Sequence, residues 1–311
     1  MKIAFLFSGQ GSQHPYMGKE LYDKYEIVKT TFLEANEHLG FDLINIMFSE
    51  NDDLNDTKYA QLAIFTFEVA LKRLINSFSI TSDLTAGLSL GEYGAYLESG
   101  VFDFKQGLDI IKNRSMFMSE AATQVVGGMS AILGIEPKKI NEVISTYNGK
   151  VTIANYNTYG QTVITGEKES VVSANEELLN NGAKRAILLN TSGAFHSKYM
   201  DDAKQRFTEY LSDISLSKPS PKLLVNTTGD YFKGDIKDIM SSQITNSVMF
   251  YQMIEKMLEA GIDTFIELGP GKVLCGFVKK INRKVNILNI EDIDSLNKTL
   301  KIVKENENGT I

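Results

Sequence analysis

The chain has 311 residues, 43% of them hydrophobic and 23% charged, with a net charge of −7. This is the composition of a globular protein with room for one large α/β domain or a domain carrying an insert, and its acidity argues against non-specific nucleic-acid binding. The single cysteine, Cys275, excludes an internal disulfide and a cysteine-based metal cluster; with no run long enough to span a bilayer and a first apolar run too short for a signal peptide, a reducing cytoplasm is the expected compartment.

Residues 3–7 read as a buried strand ending at Ser8-Gly9-Gln10-Gly11-Ser12-Gln13. That turn is not a dinucleotide fingerprint, because His14 stands where the third glycine belongs, and it lacks the Walker A lysine. It offers exposed backbone N–H groups suited to an oxyanion. Helical patterns cover 20–39 and 59–77, the second with Ala63, Phe67, Ala70 and Leu74 on one face. A short apolar run then reaches Gly87-Leu88-Ser89-Leu90-Gly91-Glu92-Tyr93, and a helix over 90–98 is stopped by Gly100. Asp103 reads as the N-cap of the next helix, which carries the stripe Phe104, Leu108, Ile111 and has Arg114 near its end.

From Met129 the texture changes. Strand 129–134, helix 137–147, strands 151–156 and 161–165, helix 168–181 and strand 186–189 follow one another. The order β-α-β-β-α-β is the ferredoxin-like split unit, so 129–189 is expected to be a subdomain inserted into a body made of 1–128 and 190–311. The body continues with the turn 192–197, helix 197–212, strand 223–226, helix 251–260, strand 264–267, the turn Gly269-Pro270-Gly271, helix 272–282 and strand 285–290. The polar tail 304–310 is expected to fray. Alternating strands and helices predict an α/β, mostly parallel, hydrolase-like sheet, with sites at the carboxyl ends of its strands.

A serine between two glycines at a strand-to-helix turn is the nucleophile-elbow pattern. The tight turn admits no side chains at the glycines, so the hydroxyl points outward and the helix N-terminus faces it. On this stretch alone, an ordinary loop with a capping serine fits as well. A serine nucleophile needs a base, and the chain holds three histidines. His38 sits in a surface-like helical run, and His14 follows the first turn, where histidines are mostly solvated. His196 lies in Ser192-Gly193-Ala194-Phe195-His196-Ser197, a turn after a strand, where a base belongs. No motif supplies a triad acid, and a backbone carbonyl suffices to orient the ring.

These stretches, with Asn155-Tyr156-Asn157 and Gly269-Pro270-Gly271-Lys272-Val273-Leu274, resemble in order the malonyl-CoA:acyl carrier protein transacylase family over residues 5–280. The resemblance implies that Ser89 takes malonyl as an ester and that His196 is its base, oriented by the carbonyl of Gln243. It implies an oxyanion hole from the N–H groups of Gln10 and Leu90, and Arg114 gripping the malonyl carboxylate. Gln61, Asn155 and Asn157 match pocket positions, and Phe195 implies a preference for an unbranched unit. Without the resemblance, Arg114 reads as a helix-end arginine on the last carbonyls. Four positions depart from the family: Leu88 for the common His, and Ser8, Tyr159 and Ser247 for common prolines.

The implied reaction is ping-pong, from malonyl-CoA to Ser89 and then to the phosphopantetheine thiol of acyl carrier protein in fatty acid synthesis. No tightly bound cofactor, metal, nucleic acid or membrane is expected, and a monomer is. An acidic carrier needs a basic patch; Lys184, Arg185, Lys279 and Lys280 are the candidates, against plain solvated charge. Three other readings remain: a free-standing acyltransferase of polyketide assembly, a serine esterase or thioesterase, and a non-catalytic carrier-binding module.

Overall fold

The computed structural model describes residues 1–191 and 193–308, so Ser192 of the histidine turn and the end of the polar tail, 309–311, lie outside the described residues. Ten strands are described: β1 (Ile3–Phe7), β2 (Leu84–Gly87), β3 (Gly127–Leu133), β4 (Val151–Thr158), β5 (Gln161–Glu167), β6 (Arg185–Leu188), β7 (Leu224–Val225), β8 (Asp230–Tyr231), β9 (Thr264–Leu268) and β10 (Asn286–Ile290). The order β10-β9-β1-β2 makes a wholly parallel sheet. β1, β2 and β9 are buried along their whole length, because helices cover both faces of such a sheet and leave no polar side.

The helix Thr57–Ser77 shows the packing logic. The Asp56 carboxylate caps it by accepting from the Lys58 N–H. It is buried almost throughout, since it lies between the sheet and the helices Glu26–Leu39 and Phe104–Ala122. Phe65 and Phe67 are wholly buried there, each stabilising the fold by roughly 1.5–3 kcal/mol.

A second sheet, β4-β5-β3-β6, is antiparallel throughout. One face carries Ile132, Ile153 and Ile164 into a separate core with Ile140 and Val143 of helix Pro137–Ile144 and Val171 and Leu178 of helix Lys168–Asn180. The other face turns toward the parallel sheet. The chain is therefore an α/β fold with one parallel and one antiparallel sheet.

The pattern over 20–39 is two helices, Lys19–Lys24 and Glu26–Leu39, because Tyr25 takes an extended conformation (φ −117°, ψ 117°) between them. Residues 223–226 give only the two-residue β7, which pairs with β8, while Leu223 bridges Thr85. Helices Leu43–Met47, Ile236–Gln243 and Ile293–Asn308 have no counterpart in the sequence reading. The last one carries the polar tail in helical form to 308. The helix holding Arg114 runs to Ala122, so Arg114 is not a helix-end residue. Among the described residues no helix is long and apolar enough to cross a membrane.

Candidate active site

β1, β2 and β9 end level, with Phe7 opposite both Gly87 and Leu268. The turns at Gly9, Ser89 and Gly269 therefore open on one edge of the parallel sheet, where β-strand carboxyl ends gather ligands. Met129, Ala131, Asn155 and Val163 of the second sheet face them, and the cleft between has a volume of about 540 Å3.

Ser89 sits at φ 53°, the left-handed region, on a corner with no room for side chains. A Cβ on Gly87 would overlap the Gly91 carbonyl, and one on Gly91 would overlap the carbonyl of Phe7. Asn226 braces the corner from behind: its Oδ1 accepts from the Ser89 N–H at 2.8 Å and its Nδ2 donates to the Gly87 carbonyl at 2.7 Å.

His196 arrives at φ 59°, also left-handed. Its Nε2 is 2.7 Å from Ser89 Oγ. Its Nδ1 faces the carbonyls of Gln243 at 2.9 Å and Asn246 at 3.1 Å. Carbonyls only accept, so the proton belongs on Nδ1 and Nε2 is left to accept from the serine hydroxyl. Burial, reinforced by the positive charge of Arg114, lowers the ring from 6.5 to about 4, against the pull of the two carbonyls. The imidazole is thus neutral at neutral pH, with Nε2 free to accept a proton. The carbonyl segment is itself anchored: the Val248 N–H donates to Ala154 O at 2.8 Å, the Tyr156 N–H to Val248 O at 2.9 Å, and Ser247 Oγ to Ile153 O at 2.6 Å. Ser247, standing where the family commonly has proline, supplies a hydroxyl bond that proline lacks.

Arg114 is buried from mid-helix, not exposed at a terminus. Its Nη2 reaches 3.5 Å from Ser89 Oγ and donates to Gln243 Oε1 at 3.0 Å, and its Nη1 donates to Gln61 Oε1 at 2.7 Å. The guanidinium also stands 5.1 Å from the Tyr93 ring centre. Gln61, fully buried, lies one layer behind the cleft wall and donates to Gln10 Oε1 at 3.0 Å. Gln10, Asn155, Asn157 and Phe195 all line the cleft, and Leu90, buried, follows the serine. Leu88 lines the cleft as an apolar wall packed on the core beneath β2. His14 is exposed just after the cleft-lining Gln13 and does not itself line the cleft, and His38 pairs at 3.0 Å with Asp109. Sequence reasoning missed Asn226, Glu92 and the side chain of Gln243. Glu92 carried a signal: a carboxylate directly after the elbow in a helix that proves buried from its first turn.

A serine on a strained corner, a neutral imidazole held by carbonyls and a fixed cation beside them define an acyl-transfer enzyme working through an ester. The acyl transferase domain family model matches residues 4–303. The malonyl CoA-acyl carrier protein transacylase of Bacillus subtilis (strain 168) is 38% identical, with 99% of each chain covered. The crystal structure of the Clostridium perfringens malonyl CoA-acyl carrier protein transacylase superposes with a TM-score of 0.95 at 40% identity, covering 99% of this chain and 98% of that one. A malonyl-transacylase solved with a type II PKS acyl-carrier protein gives a TM-score of 0.93 at 32% identity, covering 97% and 99%. The chain belongs to the acyl transferase domain family.

Proposed function

We propose that the protein moves malonyl from malonyl-CoA to Ser89 and then to the phosphopantetheine thiol of acyl carrier protein, in fatty acid synthesis. The observation that carries this is the approach of two groups to one oxygen: His196 Nε2 at 2.7 Å and Arg114 Nη2 at 3.5 Å from Ser89 Oγ. His196 takes the hydroxyl proton as Ser89 attacks the thioester, and returns it to the departing thiolate. The N–H groups of Gln10 and Leu90 receive the oxyanion, a contribution of roughly 2.7–4 kcal/mol per donor in measured hydrolases. Asn155, Asn157 and Phe195 shape the acyl and pantetheine path, and Gln61 acts from behind it by holding Arg114 and Gln10.

An esterase reading is disfavoured because both acceptors on His196 Nδ1 are carbonyls and a hydrolase has no use for a buried Arg114. The same chemistry serves polyketide assembly, as the relative solved with a PKS carrier illustrates. The strand order β4-β5-β3-β6 with its two helices supports reading 129–189 as a ferredoxin-like insert in a hydrolase-like body. A thiol acceptor and a lone cysteine suit a reducing cytoplasm, and the enzyme is proposed to act as a monomer. The test is incubation with malonyl-CoA and pantetheine: transfer to the thiol supports the reading, and release of free malonate alone refutes it.

Arg114→Ala is expected to lower kcat/KM for malonyl-CoA about 10- to 150-fold, the worth of one charge-assisted hydrogen bond, while acetyl-CoA is hit much less. Equal losses on both substrates would remove Arg114 from its role.

For the carrier, Lys184, Arg185, Lys279 and Lys280 are all exposed. Strand register sets Arg185, Leu133 and Gln161 side by side, and Lys280 Nζ donates to Gln161 Oε1 at 2.9 Å. The two basic pairs thus share one end of the small sheet, next to the cleft. Reversing all four charges is expected to raise KM for carrier protein and leave KM for malonyl-CoA unchanged. If neither constant moves, docking lies elsewhere.

A further inference from the structure

Glu92 has no part in the scheme above, yet it is fully buried one turn from the nucleophile. Its Oε1 accepts from the Asn226 backbone N–H at 2.6 Å and its Oε2 from Gln243 Nε2 at 2.5 Å. Both partners are donors, the arrangement of a carboxylate. That fixes which way the Gln243 amide points. Its NH2 faces Glu92 and the Ser89 carbonyl, the latter at 2.8 Å, and its oxygen is left for Arg114 Nη2 at 3.0 Å. On the far side of the guanidinium the polarity continues, Nη1 to Gln61 Oε1 at 2.7 Å, then Gln61 Nε2 to Gln10 Oε1 at 3.0 Å. Arg114 Nε is buried without a hydrogen-bond partner among the described residues. The guanidinium therefore depends for its placement on two amide oxygens, and one of them is turned toward it by Glu92.

We propose that Glu92 is a positioning residue for malonyl selection: it sets the polarity of the Gln243 amide, which holds Arg114 at the place of the acyl carboxylate. The same carboxylate clamps Asn226, whose side chain braces the Ser89 corner. Grip and nucleophile are thus referred to one buried carboxyl group. This deepens the malonyl-transfer reading and rests on it.

Glu92→Gln isolates the effect. The new amide keeps an oxygen for the Asn226 N–H but sets an NH2 against Gln243 Nε2, so two donors face each other. A flip of Gln243 would only move the clash to Arg114 and the Ser89 carbonyl, so the amide is displaced and its oxygen is drawn off Arg114 Nη2. The preference for malonyl-CoA over acetyl-CoA, measured as the ratio of Ser89 acylation kcat/KM values, is expected to fall roughly ten- to hundredfold. The KM for malonyl-CoA rises and acetyl transfer is affected far less; a merely structural role would lower both alike. An unchanged ratio, or equal losses, overturns the proposal. Should that variant not fold, the milder Glu92→Asp, which keeps the carboxylate but draws it back from Gln243 Nε2, is expected to lower the malonyl-to-acetyl ratio in the same direction by a smaller factor; an unchanged ratio in the folded variant overturns the proposal. Wild-type protein that takes no malonyl on Ser89 refutes the proposed function itself, whatever ratio the variants give.

Discussion

Ser89→Ala protein incubated with malonyl-CoA is expected to show no mass increase, where wild type gains one malonyl group, and its transfer rate to pantetheine falls by roughly 10^4- to 10^6-fold. The size follows from geometry. The corner that raises Ser89 is fixed by the closeness of Gly87, Gly91 and Phe7 and by the Asn226 brace, none of which involves the hydroxyl. Alanine also suits the φ of 53° about as well as serine does. The variant therefore folds as wild type does and lacks only the atom that forms the ester. What remains is the roughly thousandfold effect that binding and oxyanion donors give without a nucleophile. Retention of a malonyl adduct in Ser89→Ala would place the nucleophile elsewhere.

His196→Ala is expected to cost roughly 10^3- to 10^6-fold in acylation rate, and it also reshapes the pH profile. A base acts only in its neutral form. Because burial first, and the Arg114 charge second, hold the ring down at about 4, the neutral form persists well below the ordinary histidine range. Wild-type kcat/KM is then flat from neutral pH downward and falls only as pH approaches about 4. His196→Ala lacks that acid limb. Arg114→Ala removes a positive neighbour, so the ring protonates more easily and the limb moves to higher pH. An acid limb at 6.5 in wild type would mean that the imidazole is solvated, contrary to its burial.

The parallel strands, the elbow and the candidate base were legible because each leaves a local mark: an apolar run, paired glycines, a histidine in a turn after a strand. The order of elements in 129–189 was legible for the same reason. Arg114 was misjudged as a helix-end residue because the apolar stripe is interrupted at Lys112-Asn113-Arg114-Ser115, whereas the helix runs on through Phe117, Met118 and Ala121 to Ala122. Tyr25 hid a break, since a single extended residue leaves the apolar spacing on either side intact. The helix Ile236–Gln243 was missed although Asp235 caps it, because eight residues hold too few turns for a clear period. The Glu92 carboxyl meets the Asn226 backbone N–H 134 positions away, and the Asn226 side chain meets the Ser89 N–H 137 positions away; no local pattern encodes such pairs.

The stretch from Gln243 to Val248 does two jobs at once. Its first carbonyls grasp the imidazole, and its last residue joins the edge of β4 as an added rung. Floor and roof of the cleft are thus stapled together beside the proton-transfer pair. Because the same six residues carry both sets of contacts, any displacement of the small sheet at this edge would also displace the carbonyls that hold His196 Nδ1.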